Sequence, residues 1–170
     1  MVIRAALLAL LAAALPAAAF SPGFAVPATL TADQAEAPGD YPLPLGPWAG
    51  GSLPVQVVEG QVTRRAWRLE APGQTTLALL APLRAALVDQ GYTVLLDCAA
   101  EACGGFDFRF ATPVLPEPEM HVDLGDFRFV AARRETAAGV QAVSLMVSRS
   151  ATAGHVQIVT VDPLPPAAPA

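Results

Sequence analysis

The stretch Tyr92–Phe110, YTVLLDCAAEACGGFDFRF, decides how the fold is read. It holds the only two cysteines, Cys98 and Cys103, at the end of an apolar run with strand character. Val94, Leu95 and Leu96 are nearly continuous, and a run that is apolar on both sides predicts an inner strand. Gly104 and Gly105 then mark a turn. Phe106, Phe108 and Phe110 alternate with Asp107 and Arg109, which predicts a second strand with three rings on one face. Aligned rings of this kind more often build a core than a ligand platform. The two thiols lack a neighbouring His or Cys to complete a zinc set, and their spacing is not the redox C-x-x-C. In an oxidising compartment an even pair favours a disulfide. The ring it closes is small, so loop entropy supplies only about 2 kcal/mol. Its effect is local stiffening of the turn at Gly104–Gly105.

Immediately upstream lies the one strong helical pattern, Gln74–Gln90. Leu77, Leu80, Leu83 and Leu87 recur at spacings of three and four, with Leu79, Ala86 and Val88 widening the stripe. Thr75 or Thr76 suits the N-cap, and Gly91 suits the position just past the last turn. Pro82 falls inside the pattern and predicts a kink or a later start. Before the helix, Leu53–Val58 and Gln61–Glu70 read as strands, the second with Trp67 and Leu69 on one face. Arg64, Arg65 and Arg68 read as solvated sheet residues. Strand, helix and strand in this order suggest a parallel pair with a right-handed crossover. Downstream, Phe127–Arg134, Val140–Ser148 and His155–Val161 read as three strands, with short connections that favour antiparallel neighbours.

The expected fold is therefore α+β and two-layer: one main helix packed on a mostly antiparallel sheet of five or six strands. The expected core is Trp67, Leu69, Leu77, Leu80, Leu83, Leu87, Val94, Leu96, Phe108, Phe129, Leu145, Val147, Val156 and Ile158. The expected organisation is a leader at 1–19, a flexible segment at 20–40, one domain at 41–162 and a Pro/Ala-rich tail at 163–170.

The leader has the parts of a secretory signal. Arg4 supplies the positive start, Ala5–Leu15 the apolar run, and Pro16 ends it; Ala17, Ala18 and Ala19 are small enough for a signal peptidase. Cleavage is expected after Ala19, giving a periplasmic or secreted protein. The alternative is retention as an anchor, but the run falls short of the ~20 residues a spanning helix needs. No further apolar run of spanning length follows. The formal net charge of -5 gives no general attraction for nucleic acid or anionic lipid. All ten basic residues are arginine, which with the many alanines reads as a coding bias and not as a phosphate-binding signal.

Chemistry is sparse. Glu119, His121 and Asp123 alternate in EMHVD, so an extended segment would place two carboxylates and an imidazole on one face. Such a set could hold a divalent metal and support a hydrolase; a solvated face opposite Met120 and Val122 is the plainer alternative. No serine sits in G-x-S-x-G, and there is no P-loop or dinucleotide fingerprint. No catalytic residue and no cofactor is expected.

Taken together, G-x-V-T-R-x-A-W-R (Gly60–Arg68), LAPLRAAL (Leu80–Leu87), QGYTVLLDC (Gln90–Cys98), ACGGFDFRFAT (Ala102–Thr112), LPEPEMHVDLGDFRFVAARR (Leu115–Arg134) and LMVSRS (Leu145–Ser150) resemble the N-terminal periplasmic region of OmpA-family envelope proteins of Gram-negative bacteria. More loosely, they resemble an envelope domain of unknown function. The likeness spans about Tyr41–Val161. It implies a non-enzymatic cell-envelope interaction domain, with an envelope protein or glycan as partner, or a structural spacer to a wall-binding partner. In that family a C-terminal module binds peptidoglycan; no such segment is recognised before Ala170, and no residue here is assigned that role.

Overall fold

Six strands form one antiparallel sheet whose two faces are both covered. The structure is a computed structural model and describes residues 17–166. In chain order the elements are β1 (Ala28–Pro44), β2 (Val55–Leu69), α1 (Thr76–Asp89), β3 (Thr93–Ala99), α2 (Ala100–Cys103), α3 (Gly105–Ala111), β4 (Phe127–Thr136), β5 (Gly139–Arg149) and β6 (Gly154–Asp162). The spatial order is β1-β2-β6-β5-β4-β3. The expectation of one main helix on a two-layer α+β sheet is overturned. The molecule is mostly sheet, with three short helices shared between its faces. The sequence-based error was one of type as well as number, since α2 and α3 occupy the segment read as turn and strand.

The β2–α1–β3 unit is not an adjacent parallel pair. β6, β5 and β4 lie between its two strands, so α1 crosses the sheet and β3 is an outer strand. Its apolar run reflects cover on both faces rather than an inner position. A register shift between Val94 and Leu96 turns Leu95 and Leu96 toward the same core, while Val94 packs on the opposite one. All three are partly buried.

Alternation along the strands divides the interior in two. Leu69, Val130, Ala132, Val143, Leu145, Val147, Val156 and Ile158 meet Leu79, Leu80, Leu83 and Leu87 of α1. On the opposite face, Phe127, Phe129, Ala131, Met146 and Val159 meet Cys103, Phe108, Leu115 and Met120. β5 is consequently buried without a break from Gln141 to Ser148. Leu77 departs from the expected core: it is 44% exposed, because the helix turns Leu79 inward instead. The caps are as the sequence indicates. Thr75 Oγ1 accepts from the Ala78 N–H at 3.1 Å, and Gly91, at φ +83°, lets the Tyr92 N–H reach the Leu87 carbonyl. Pro82 is accommodated inside the helix.

Residues 20–40, expected to be a flexible leader, are built into the domain. Ala28–Pro44 is the long outer strand β1, paired along β2. The ribbon these two strands form bends. β2 pairs with β6 only from Gln61 onward, whereas it pairs with β1 back to Val55. Gly60 stands at the departure point, where a Cβ would lie 2.3 Å from the Asp162 carbonyl oxygen. Beyond it the ribbon lies over the β4–β5 face. Tyr41 and Leu43 are buried there, Tyr41 Oη lies 2.8 Å from Ser144 Oγ, and Arg133 donates to Gln56 Oε1 at 3.0 Å. Residues 1–16 of the expected leader and 167–170 of the expected tail lie outside the described residues.

Candidate functional site

Both cysteines and both histidines lie toward one end of the sheet. The register Ala99↔Arg128↔Val147↔Val156↔Trp67↔Leu30 aligns the end of β3, the start of β4, the end of β5 and the start of β6. The helices α2 and α3 and the long connection 112–126 are built on this end.

The disulfide between Cys98 and Cys103 is formed, and it ties the end of β3 to the last residue of α2. Its Cα atoms are 5.2 Å apart. Gly104 follows at φ +114°, and a Cβ there would sit 2.7 Å from the Trp48 Cβ. The Trp48 N–H donates to the Cys103 carbonyl at 2.8 Å, so the Pro/Gly-rich segment around Trp48 closes over the stapled turn. Both constraints at residue 104 favour glycine.

From Gly105 the chain is helical, which corrects the expected strand of three aligned rings. In α3, Phe106 and Phe110 are one turn apart and share the outer side; Phe108 points inward. Phe108 is fully buried against Phe127 and Phe129. Phe106 and Phe110 remain 61% and 62% exposed, with ring centroids 4.5 Å apart. The Arg109 guanidinium lies 5.1 Å from the Phe110 ring centre, and partial burial lowers its pKa from the usual arginine range. The disulfide ends at Cys103, ahead of α3, and the two exposed rings form an apolar patch on the helix that follows the stapled turn.

The connection 112–126 is fastened by buried polar groups of the sheet. Gln157 accepts from the Leu115 N–H at 2.7 Å and donates to the Pro113 carbonyl at 3.1 Å. Ser148 Oγ accepts from the Asp123 N–H at 2.8 Å, and Met120 is buried. Thr31 of β1 donates to the Glu119 carbonyl at 2.7 Å. Asp126 closes the segment: Thr76 Oγ1 donates to it at 2.8 Å and Arg149 Nε at 2.5 Å. Burial alone would raise the Asp126 pKa, but these donors outweigh it and hold the carboxyl below its ordinary range.

Glu119, His121 and Asp123 are not arranged as the alternating face of a strand, because the segment is turn and loop. Glu119 engages through its backbone. Asp123 accepts the Gly125 N–H in its own turn at 2.8 Å. His121 instead meets Glu117, whose carboxylate lies 2.6 Å from its Nδ1, and His155, whose ring centre lies 5.1 Å away. Burial lowers the His155 pKa; His121 and Arg68 add to that and Glu117 opposes it. Among the described residues, no group of three or more His, Cys, Asp or Glu could hold a metal ion. The Ser150 hydroxyl lies 3.4 Å from His155 Nε2 and accepts the Ala153 N–H at 3.2 Å, which closes its own turn.

Sequence reasoning missed the approach of His155 to His121. Thirty-odd positions separate them, and only the β5–β6 register and the anchoring of the connection bring them together. It also missed the outward pair Phe106 and Phe110, because a period of two masked a helix of two turns. Among the described residues, no helix is long and apolar enough to cross a membrane. Comparison with protein-family models and with curated proteins found no match.

Proposed function

We propose that this chain is an exported, non-enzymatic interaction domain of the cell envelope, working in the periplasm and similar in kind to the N-terminal region of OmpA-family proteins. The observation that carries the proposal is the exposed pair Phe106 and Phe110 on α3, the helix that follows the disulfide-stapled turn. Exposed aromatic rings lose little conformational entropy on contact and bury a large area, which is how interaction hot spots are built. The proposed partner is an envelope protein or a glycan, either of which can lay an apolar face on paired rings. The compartment is proposed from the leader and from the cysteine pair, which needs oxidising surroundings to persist. The metal-dependent hydrolase that Glu119, His121 and Asp123 suggested has less support, since His121 turns toward Glu117 and His155 instead.

The test is retention of envelope components on immobilised protein with its disulfide intact. The unaltered chain should retain a defined protein or glycan fraction, and Phe106→Ser/Phe110→Ser should reduce that retention at least tenfold. The double variant should melt within a few degrees of the parent, since neither ring is in the core. Equal retention by both would move the contact surface elsewhere. Retention of nothing by the parent would favour a spacer between the membrane and a wall-binding partner.

A further inference from the structure

The bend in the β1–β2 ribbon leaves part of β2 with a neighbour on one side only. β2 starts at Val55, but β6 pairs with it only from Gln61, opposite Asp162. Pro163, Pro165, Pro166 and Pro169 follow. Proline has no N–H to give a ladder, so this tail is ill suited to carry β6 further along β2. Gln56–Gly60 instead line a cleft of about 810 Å³, together with Gly139 at the start of β5 and with Pro163 and Leu164. The register tells which backbone groups turn toward the missing neighbour. Pro42 and Pro44 stand opposite Val57 and Val55. A proline cannot exchange both bonds of a hydrogen-bonded pair, so Val55 and Val57 direct their N–H and C=O away from β1. The alternate positions face β1, as the Pro54 carbonyl does in accepting the Leu45 N–H at 2.9 Å. Glu59 has the parity of Val55 and Val57. Among the described residues, these three find no backbone partner on the side that β6 leaves.

Charge indicates what fits there. Asp40 and Glu59 are direct cross-strand partners and both are exposed. Like charges directly opposite each other destabilise a sheet, and among the described residues neither carboxylate has an ion-pair partner. Glu36 also lines the cleft, paired with Arg64 at 3.5 Å. No basic residue lines it. Arg133, which reaches Gln56 Oε1 at 3.0 Å, is itself paired with Glu135 at 3.3 Å. Gly39 stands opposite Gly60, so no side chain covers the backbone at that pair. We propose that this cleft docks an extended, lysine- or arginine-rich segment of a partner protein as an added strand on β2, in the place that β6 leaves. The segment's backbone pairs with Val55, Val57 and Glu59, and its cations meet Asp40 and Glu59. The proposal uses neither the paired rings of α3 nor the export reading.

The test is titration of the full chain with a short fluorescent peptide alternating lysine and valine, followed by amide hydrogen exchange. The peptide should bind, and more weakly as salt is raised. The same peptide with glutamate for lysine should bind at least tenfold more weakly. So should an N-methylated form, which keeps the charge but lacks the donors. Asp40→Asn/Glu59→Gln should weaken binding at least tenfold without lowering the melting temperature, since it removes a like-charge pair. Should that variant not fold, Val57→Pro deletes one edge donor and is held to the same tenfold loss. Binding should slow exchange at the Val57 and Glu59 amides. No binding of the lysine peptide, equal binding of the N-methylated form, or unchanged affinity of the variant overturns the proposal. Slow exchange at Val57 and Glu59 before any peptide is added also overturns it, by making the chain's own tail or a second copy the occupant; the mass in solution tells these two apart. Retention of an envelope component plays no part in these readouts, so failure here is distinct from failure of the proposed function.

Discussion

Tyr41 shows how single polar atoms hold the bent ribbon on the sheet. Its ring is fully buried, its hydroxyl meets Ser144 on β5, and burial pushes its pKa up to about 12. A phenol in such a place needs its partner, because an unmatched buried hydroxyl costs about 1–3 kcal/mol. Tyr41→Phe is expected to destabilise the chain by that amount in urea titration, as Ser144 is left unmatched. Adding Ser144→Ala should recover part of the loss, giving a non-additive cycle. Additive losses would mean that the two hydroxyls are independently solvated. At the same scale, Gly60 falls between the two strands read at Leu53–Val58 and Gln61–Glu70, and nothing local singles it out. What crowds a side chain there is the Asp162 carbonyl at the end of β6, which no local pattern contains.

Among the elements, the stapled turn between β3 and α3 is where sequence and structure agree in part. The pairing of Cys98 with Cys103 followed from their being the only two cysteines and from the leader. The helical state of 105–111 did not follow, since F-D-F-R-F alternates as a strand would. Gly104 at positive φ redirects the chain, and burying Phe108 alone against Phe127 and Phe129 selects the helix. Cys98→Ser/Cys103→Ser is expected to cost about 2 kcal/mol from loop entropy, a melting shift of roughly 4–8 °C for a chain of this size. The same change should weaken retention of an envelope component, because the turn that leads into α3 loses its staple. Loss of stability with undiminished retention would separate the disulfide from the contact surface. By contrast, α1 was legible nearly residue by residue, from the Thr75 cap to Gly91, because its signals are local.

Over the whole molecule, acid should act in two stages. His155 and Asp126 both have depressed pKa values in the folded chain. The folded state therefore binds fewer protons than the unfolded one, and the associated stability is present at neutral pH and lost as pH falls. His155 acts first, below its ordinary value of 6.5, and Asp126 later, below 3.8. Urea midpoints measured from pH 8 to pH 3 should decline in these two windows. His155→Gln should flatten the first and Asp126→Asn the second. A midpoint that holds steady between pH 7 and pH 5 would show that the burial of His155 carries no protonation cost.

What the sequence by itself determined is what short-range physics encodes: the helix α1 and its caps, the three late strands with their tight connections, the cysteine pair, and the absence of recognisable catalytic motifs. The tertiary structure decided the rest. It turned a Pro-rich segment into the outer strand β1, placed β3 at the sheet edge, and brought His155 to His121. An apolar run records only that a strand is covered on both faces, not how many neighbours it has. Those neighbours come from long-range pairing and from the bend at Gly60, which bury both faces of one sheet and leave two phenylalanine rings outside.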